Sequence, residues 1–136
     1  MINVAVGIIM KNGTVLLCQR KHTSRYPLKW EFPGGKVEAG ESVEACLRRE
    51  LFEELNIHAE AGELFHRQHY RYPDSGTFDV FYYLVPEFNG SIENRAFEAF
   101  LWVPIQQLVQ YDILEGNKDV VNRLMDNDKL LHPDKK

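Results

Sequence analysis

Residues 35–57 read Gly35-Lys-Val-Glu-Ala-Gly-Glu41-Ser-Val-Glu-Ala-Cys-Leu-Arg-Arg49-Glu50-Leu-Phe-Glu53-Glu54-Leu-Asn56-Ile57. A glycine turn leads to a lone Glu41. Ser42 then offers N-cap chemistry for a helix predicted to run to about Leu55. Val43, Leu47, Leu51 and Leu55 recur every four residues and supply its buried stripe. Glu50, Glu53 and Glu54 project from one face beside that stripe, because residues three and four apart are neighbours on a helix. Like charges at that spacing destabilise an isolated helix by roughly 0.2–0.5 kcal/mol per pair. A solvated charged face is the plain explanation of such a cluster. A bound divalent cation would instead turn the repulsion into a ligand set, and hard oxygen donors suit Mg²⁺ or Mn²⁺.

Working outward, Val4, Val6, Ile8 and Met10 alternate with Ala5, Gly7 and Ile9 as a mostly buried strand. Asn12-Gly13 signals a tight hairpin turn into a partner strand over 15–20. Residues 21–29 form a basic, irregular loop. Trp30-Glu31-Phe32 is a short strand stopped by Pro33-Gly34-Gly35. Downstream, 58–72 reads as a strand broken near Gly62, 73–76 as a turn and 77–85 as a central strand. A loop over 87–94 precedes a last strand at 97–103. Two short helices follow near 104–110 and 118–125, and 126–136 reads as a polar, frayed tail. His66 and His69 lie an odd number apart on a strand and so face opposite sides. None of the five histidines forms a metal motif.

The 136 residues suffice for a single domain spanning 1–136 with one core. Hydrophobic content of 44% and charged content of 26% fit a soluble globular chain. A net charge of −4 argues against a broad grip on a nucleic-acid polymer. A polyanionic substrate would then need metal and a local cluster of Arg and Lys. Cys18 and Cys46, far apart and outside any C-x-x-C spacing, read as reduced thiols of a cytoplasmic protein. No apolar run reaches the length of a membrane span, and the first residues lack signal-peptide character, so no membrane partner is expected.

The order of residues in 35–57 resembles the Nudix box, G-x5-E-x7-R-E-U-x-E-E-x-G-U, where U is a bulky apolar residue. Gly35, Glu41, Arg49, Glu50, Leu51, Glu53, Glu54 and Ile57 fit it. The second glycine of the pattern is Asn56. That position follows the helix end, where the backbone usually turns left-handed, and Asn is the next best residue there after Gly. Ala5 to Ile9, Glu31 to Lys36 and Trp102 extend the resemblance toward the MutT-type branch of nucleoside triphosphate pyrophosphohydrolases, over roughly residues 3–125.

The resemblance implies an α/β Nudix fold, a mixed β-sheet sandwiched between helices (α/β/α). It implies that Glu50, Glu53 and Glu54 hold Mg²⁺ (Mn²⁺ as a substitute), with a backbone carbonyl of Gly34 or Gly35 as a further ligand. Arg49 would orient the carboxylates, and Glu41 would support the loop–helix junction. Glu50 or Glu53 would be the general base. Glu98 is an outside candidate for base or ligand, with an exposed edge-strand carboxylate as the equal alternative. Arg20, Phe32, Lys36 and Asn117 are the implied substrate-binding residues. In the MutT-type branch an Asn at the place of Asn117 reads the purine edge; the alternative is a plain helix N-cap. The implied reaction is hydrolysis of a nucleoside triphosphate to monophosphate and pyrophosphate. 8-oxo-dGTP is the expected substrate, in nucleotide-pool cleaning. CTP or another pyrimidine triphosphate is the alternative, and a non-catalytic nucleotide-binding domain the second. The partner would be a small-molecule nucleotide, and the protein a monomer or homodimer.

Overall fold

A computed structural model describes residues 1–131 of the chain. Strand β1 (Ile2–Lys11) organises the sheet. It lies parallel to β6 (Gly76–Val85), from Ile2 opposite Phe78 to Ile9 opposite Val85. Its first half also pairs antiparallel with β4 (Gly34–Lys36), and its end pairs antiparallel with β2 (Thr14–Gln19). Asn12 and Gly13 both take positive φ at that hairpin, as the favoured two-residue turn requires. β2 carries β3 (Trp30–Glu31) and β7 (Ala99–Pro104), while β6 carries the edge strand β5 (Leu64–Tyr72). The result is one mixed seven-stranded sheet.

Period-two alternation sets its faces. Ala5, Ile9 and Tyr83 face helix α1 (Val43–Leu55) and pack with Leu47, Leu51 and Leu55. Val6, Ile8 and Tyr82 face the other way. They pack with Leu108 of a 3₁₀ turn (Ile105–Gln110) and with Val120, Val121 and Leu124 of α2 (Lys118–Asp126). Helices thus cover both faces, giving the α/β/α sandwich. Helix α1 starts where Ser42 Oγ accepts the Ala45 N–H at 3.0 Å. It ends where Asn56 turns left-handed, at φ 60° and ψ 31°, with its N–H on the Phe52 carbonyl.

Two expectations need correction. The strand expected over 58–72 with a break near Gly62 is continuous only after that break, from Leu64, and the part before it is not a strand. Before it, the chain crosses the end of β6: Gly62 N–H donates to the Leu84 carbonyl, and a Cβ on Gly62 would lie 2.5 Å from that oxygen. His58 makes a single bridge, to Asn89. The short helix expected near 104–110 is present as a 3₁₀ helix, Ile105–Gln110. Residues 126–131 are not frayed: α3 (Asp128–Leu131) follows α2, with Asp128 buried. The rest of the expected tail, 132–136, lies outside the described residues. Among the described residues, no helix is long and apolar enough to cross a membrane.

Candidate active site

One guanidinium organises the acidic side. Arg49 Nε and Nη2 donate to Glu41 at 2.7 and 2.9 Å. Its Nη1 donates to Glu50 at 2.9 Å and to Glu53 at 3.2 Å, and Nη2 also reaches the Lys36 carbonyl at 3.2 Å. Arg49 therefore ties β4, the loop after it and helix α1 together through charge-assisted bonds. These bonds, with the Glu38 N–H, hold Glu41 down to about 2.

Strand β4 presses against the same helix. Gly34 N–H donates to Glu54 Oε1 at 3.1 Å. A Cβ on Gly35 would lie 2.3 Å from the Glu50 carboxyl carbon, so the missing side chain is what lets strand and carboxylate approach. Burial pushes Glu54 up to about 9, and the neighbouring Glu50 and Glu31 charges add to it, against the Gly34 N–H. Burial likewise raises Glu50 in spite of Arg49. These are the marks of a carboxylate cluster short of positive charge.

As the side chains lie, no three His, Cys, Asp or Glu among the described residues converge to hold a metal ion. Glu50 and Glu53 turn toward Arg49, and Glu54 toward Gly34. The donor chemistry still fits a hard divalent cation. The donors are all oxygen, the cluster is under-neutralised, and the Gly34 and Gly35 carbonyls belong to the adjacent strand.

A cavity of about 660 Å³ adjoins this cluster, within the range of small-molecule sites. One part of its lining is charged or backbone: Arg20, Glu31, Gly34, Gly35, Lys36 and Glu54. The other part is neutral and aromatic: Phe32, Tyr72, Phe78, Tyr82, Gly116 and Asn117. All four residues expected to bind substrate, Arg20, Phe32, Lys36 and Asn117, line it. Arg20 Nη1 donates to both Glu31 oxygens at 3.1 and 3.2 Å. Burial raises Glu31 even so, with Arg20 opposing. Glu98 is not part of this lining. Its carboxylate is paired with His22, at 3.1 Å to the backbone N–H and 2.8 Å to ring Nδ1.

Asn117 is buried, and its side chain makes no capping bond to α2. Asn117 thus stands at the N-cap position of α2 without capping it through its side chain. Its Oδ1 accepts the Phe32 N–H at 3.2 Å, and its Nδ2 donates to the Tyr82 hydroxyl at 3.0 Å. The basic loop over 21–29 reaches the rim of the cavity. Arg25 Nη1 donates to Ser75 Oγ at 2.6 Å, the Tyr26 hydroxyl donates to Asp74, and Tyr26 lies 5.0 Å from the Tyr72 ring.

Sequence reasoning missed Glu31, although a charged residue between two aromatics just before Pro-Gly-Gly was a signal. It also left open which aromatics line a pocket. The alternation along β6 puts Phe78 and Tyr82 on one face, but not what that face meets.

Known proteins share this architecture. The NUDIX domain family matches residues 1–124. A CTP pyrophosphohydrolase of Escherichia coli is 34% identical over 125 residues, which are 92% of each chain. An 8-oxo-dGTP diphosphatase of Haemophilus influenzae is 38% identical over 125 residues, 91% of each chain. The solution structure of the E. coli ORF135 protein superposes with a TM-score of 0.85 at 32% identity, covering 99% of this chain and 95% of that one.

Proposed function

This chain belongs to the NUDIX domain family and is a Nudix hydrolase, and from that premise we propose that it hydrolyses 8-oxo-dGTP to the monophosphate and pyrophosphate with Mg²⁺. The observation that carries the substrate is the Asn117 amide. It lines the cavity, and its two protein partners use one N–H and one oxygen lone pair, leaving one of each. Oxidised guanine presents a carbonyl acceptor at position 6 beside an N–H donor at position 7. Unoxidised guanine presents two acceptors there. A donor beside an acceptor complements the first edge and opposes the second. Tyr72 and Phe78 offer aromatic surface in the same cavity.

The charged part of the lining divides the chemistry. Arg20 and Lys36 bind phosphate oxygens through charge-assisted hydrogen bonds. Glu50, Glu53 and Glu54, with a Gly34 or Gly35 carbonyl, would hold Mg²⁺, which supplies charge neutralisation and acidifies the attacking water. Glu53 is the more exposed of the two candidate bases, and its carboxylate takes the water's proton during in-line attack. Arg49 keeps Glu53 aimed, and Glu41 anchors Arg49 from the other side.

A second reading, CTP as substrate, is favoured by the E. coli CTP pyrophosphohydrolase at 34% identity. A panel of 8-oxo-dGTP, dGTP and CTP with Mg²⁺, scored for pyrophosphate against orthophosphate, tests both. Pyrophosphate release with 8-oxo-dGTP preferred supports the first reading, and CTP preferred moves it to the second. Orthophosphate as sole phosphate product, or full turnover in excess EDTA, refutes both.

A further inference from the structure

Asn117 is held by a chain of buried and half-buried groups. Gln68 Nε2 donates to the Gly116 carbonyl at 2.8 Å, and Gly116 N–H donates to the Tyr72 hydroxyl at 2.8 Å. A Cβ on Gly116 would lie 2.3 Å from that hydroxyl oxygen. Gly116 is thus fixed from two strand β5 residues. Tyr82, fully buried on β6, donates its hydroxyl proton to the same Gly116 carbonyl at 3.2 Å. Its ring lies 5.8 Å from His66, nearly parallel to it.

A phenol has one proton. With it on Gly116, the Tyr82 oxygen can only accept, so an amide N–H must face it. The Phe32 backbone N–H can only donate, so the amide oxygen must face that. The Asn117 side chain satisfies both at once, at 3.0 and 3.2 Å. Turned over, it would set N–H against N–H at Phe32 and oxygen against oxygen at Tyr82. Burial raises the Tyr82 hydroxyl well above its ordinary range, so the phenol keeps its proton at neutral pH.

We propose that Tyr82 is a positioning residue that fixes the orientation of the Asn117 amide and thereby decides which of two oppositely ordered base edges the cavity accepts. This rests on the nucleotide reading above. Bases come in pairs whose donor and acceptor are interchanged. Cytosine offers an amino donor beside a ring acceptor, and uracil a carbonyl acceptor beside a ring N–H. Adenine and 8-oxoguanine stand in the same relation at positions 6 and 7. A fixed amide accepts one order. An amide held only at Phe32 loses one of the two contacts that fix its order, so the turned-over amide costs less and the wrong edge is rejected less strongly.

Tyr82→Phe keeps the ring and removes the hydroxyl. In the wild type, kcat/KM should favour one member of each pair, 8-oxo-dGTP over dATP and one of CTP and UTP over the other. In Tyr82→Phe the ratios should narrow about fivefold, the worth of one buried hydrogen bond. The change should fall on KM, with kcat on the favoured substrate within about twofold. A lower melting point with unchanged ratios would overturn the proposal while leaving the hydrolase reading intact. A wild type that releases pyrophosphate from no triphosphate would remove both. If Tyr82→Phe does not fold, NMR on the wild type decides. The Asn117 side-chain amide protons should exchange slowly and show a nuclear Overhauser contact to the Tyr82 ring, and fast exchange without that contact would overturn the proposal.

Discussion

Glu54 makes cation binding a proton-linked event that can be counted. Burial and the neighbouring Glu50 and Glu31 carboxylates lift it to about 9. At pH 7 the metal-free carboxyl is then ~99% protonated, and at pH 9 about half. A divalent cation needs the carboxylate, so binding must expel the proton. Titrating Mg²⁺ into chelator-treated protein should release about one proton per site at pH 7, falling to about half at pH 9. Calorimetry in two buffers of different ionisation enthalpy reads the number directly. Glu54→Gln removes the titrating group and should bring the release close to zero. The same shift sets a sign for stability. A folded-state value above the ordinary 4.5 means that the folded form binds the proton more tightly. The contribution of Glu54 is therefore complete below about 4.5 and is lost as pH rises toward 9, at about 1.4 kcal/mol per pH unit in the steepest stretch. Added Mg²⁺ should offset that loss. Proton release that is absent in the wild type, or equal in wild type and Glu54→Gln, would refute the reasoning.

Gly35→Ala should keep the fold but push the Glu50 carboxyl aside, since the new Cβ would lie 2.3 Å from it. A displacement of that order costs about 10²-fold in kcat/KM, and activity within about threefold of wild type would contradict the close-approach account. Glu41→Gln should lower the melting point at pH 7, and the deficit should vanish as acid reaches the wild-type carboxylate. A value depressed from 4.5 to about 2 gives stability that is present above 4.5 and lost as pH falls through 2, so a deficit that stays constant from pH 7 to pH 2 would count against the Arg49 pairing. Asn117→Ala strips the buried Phe32 N–H of its acceptor, at a cost of about 1–3 kcal/mol. It should also cut the preference for 8-oxo-dGTP over dGTP by roughly 5- to 150-fold; an unchanged ratio of kcat/KM would remove Asn117 from base reading.

What was legible in the chain is what the chain encodes locally. Ser42, the four-residue stripe from Val43 to Leu55, and Asn56 describe one helix from cap to left-handed exit, and all of it lies within fifteen residues. Asn12-Gly13 is equally local. The break near Gly62 was legible too, but not that the residues before it form no strand, because that depends on the chain crossing β6 at the Gly62–Leu84 contact and not on propensity. Asn117 shows the same limit. As a cap it would need extended backbone, yet it sits at φ −94° and ψ −4°. Its actual partners, Phe32 and Tyr82, are 85 and 35 residues away. Glu31 became part of the site only when β2 and β3 paired and brought it to Arg20. No periodicity carries such information.

The carboxylate cluster with the charged lining beside it and the neutral network around Asn117 differ in how complete they are without a ligand, and that difference suggests a division of labour. On the charged side Arg20 answers Glu31, and Arg49 gives its shortest bond to Glu41. Glu50 and Glu53 share what remains of Arg49, and the Glu54 carboxylate has, among the described residues, only the Gly34 backbone N–H. A polyphosphate brought against this surface alone would meet repulsion, so on the proposed reading cation and substrate charge have to arrive as a compensating set. Such a surface is indifferent to the base, since every nucleoside triphosphate carries the same phosphates. The neutral side is the reverse. Gln68, Tyr72, Gly116, Tyr82, Phe32 and Asn117 satisfy one another before any ligand enters, and Asn117 keeps only one donor and one acceptor to spare. A pre-satisfied network loses little on binding the matching edge and leaves a buried group unpaired against the wrong one. On the proposed reading, discrimination therefore belongs to the neutral network and turnover to the charged cluster. Substitutions in the first should move ratios between substrates, while substitutions in the second should move all substrates together.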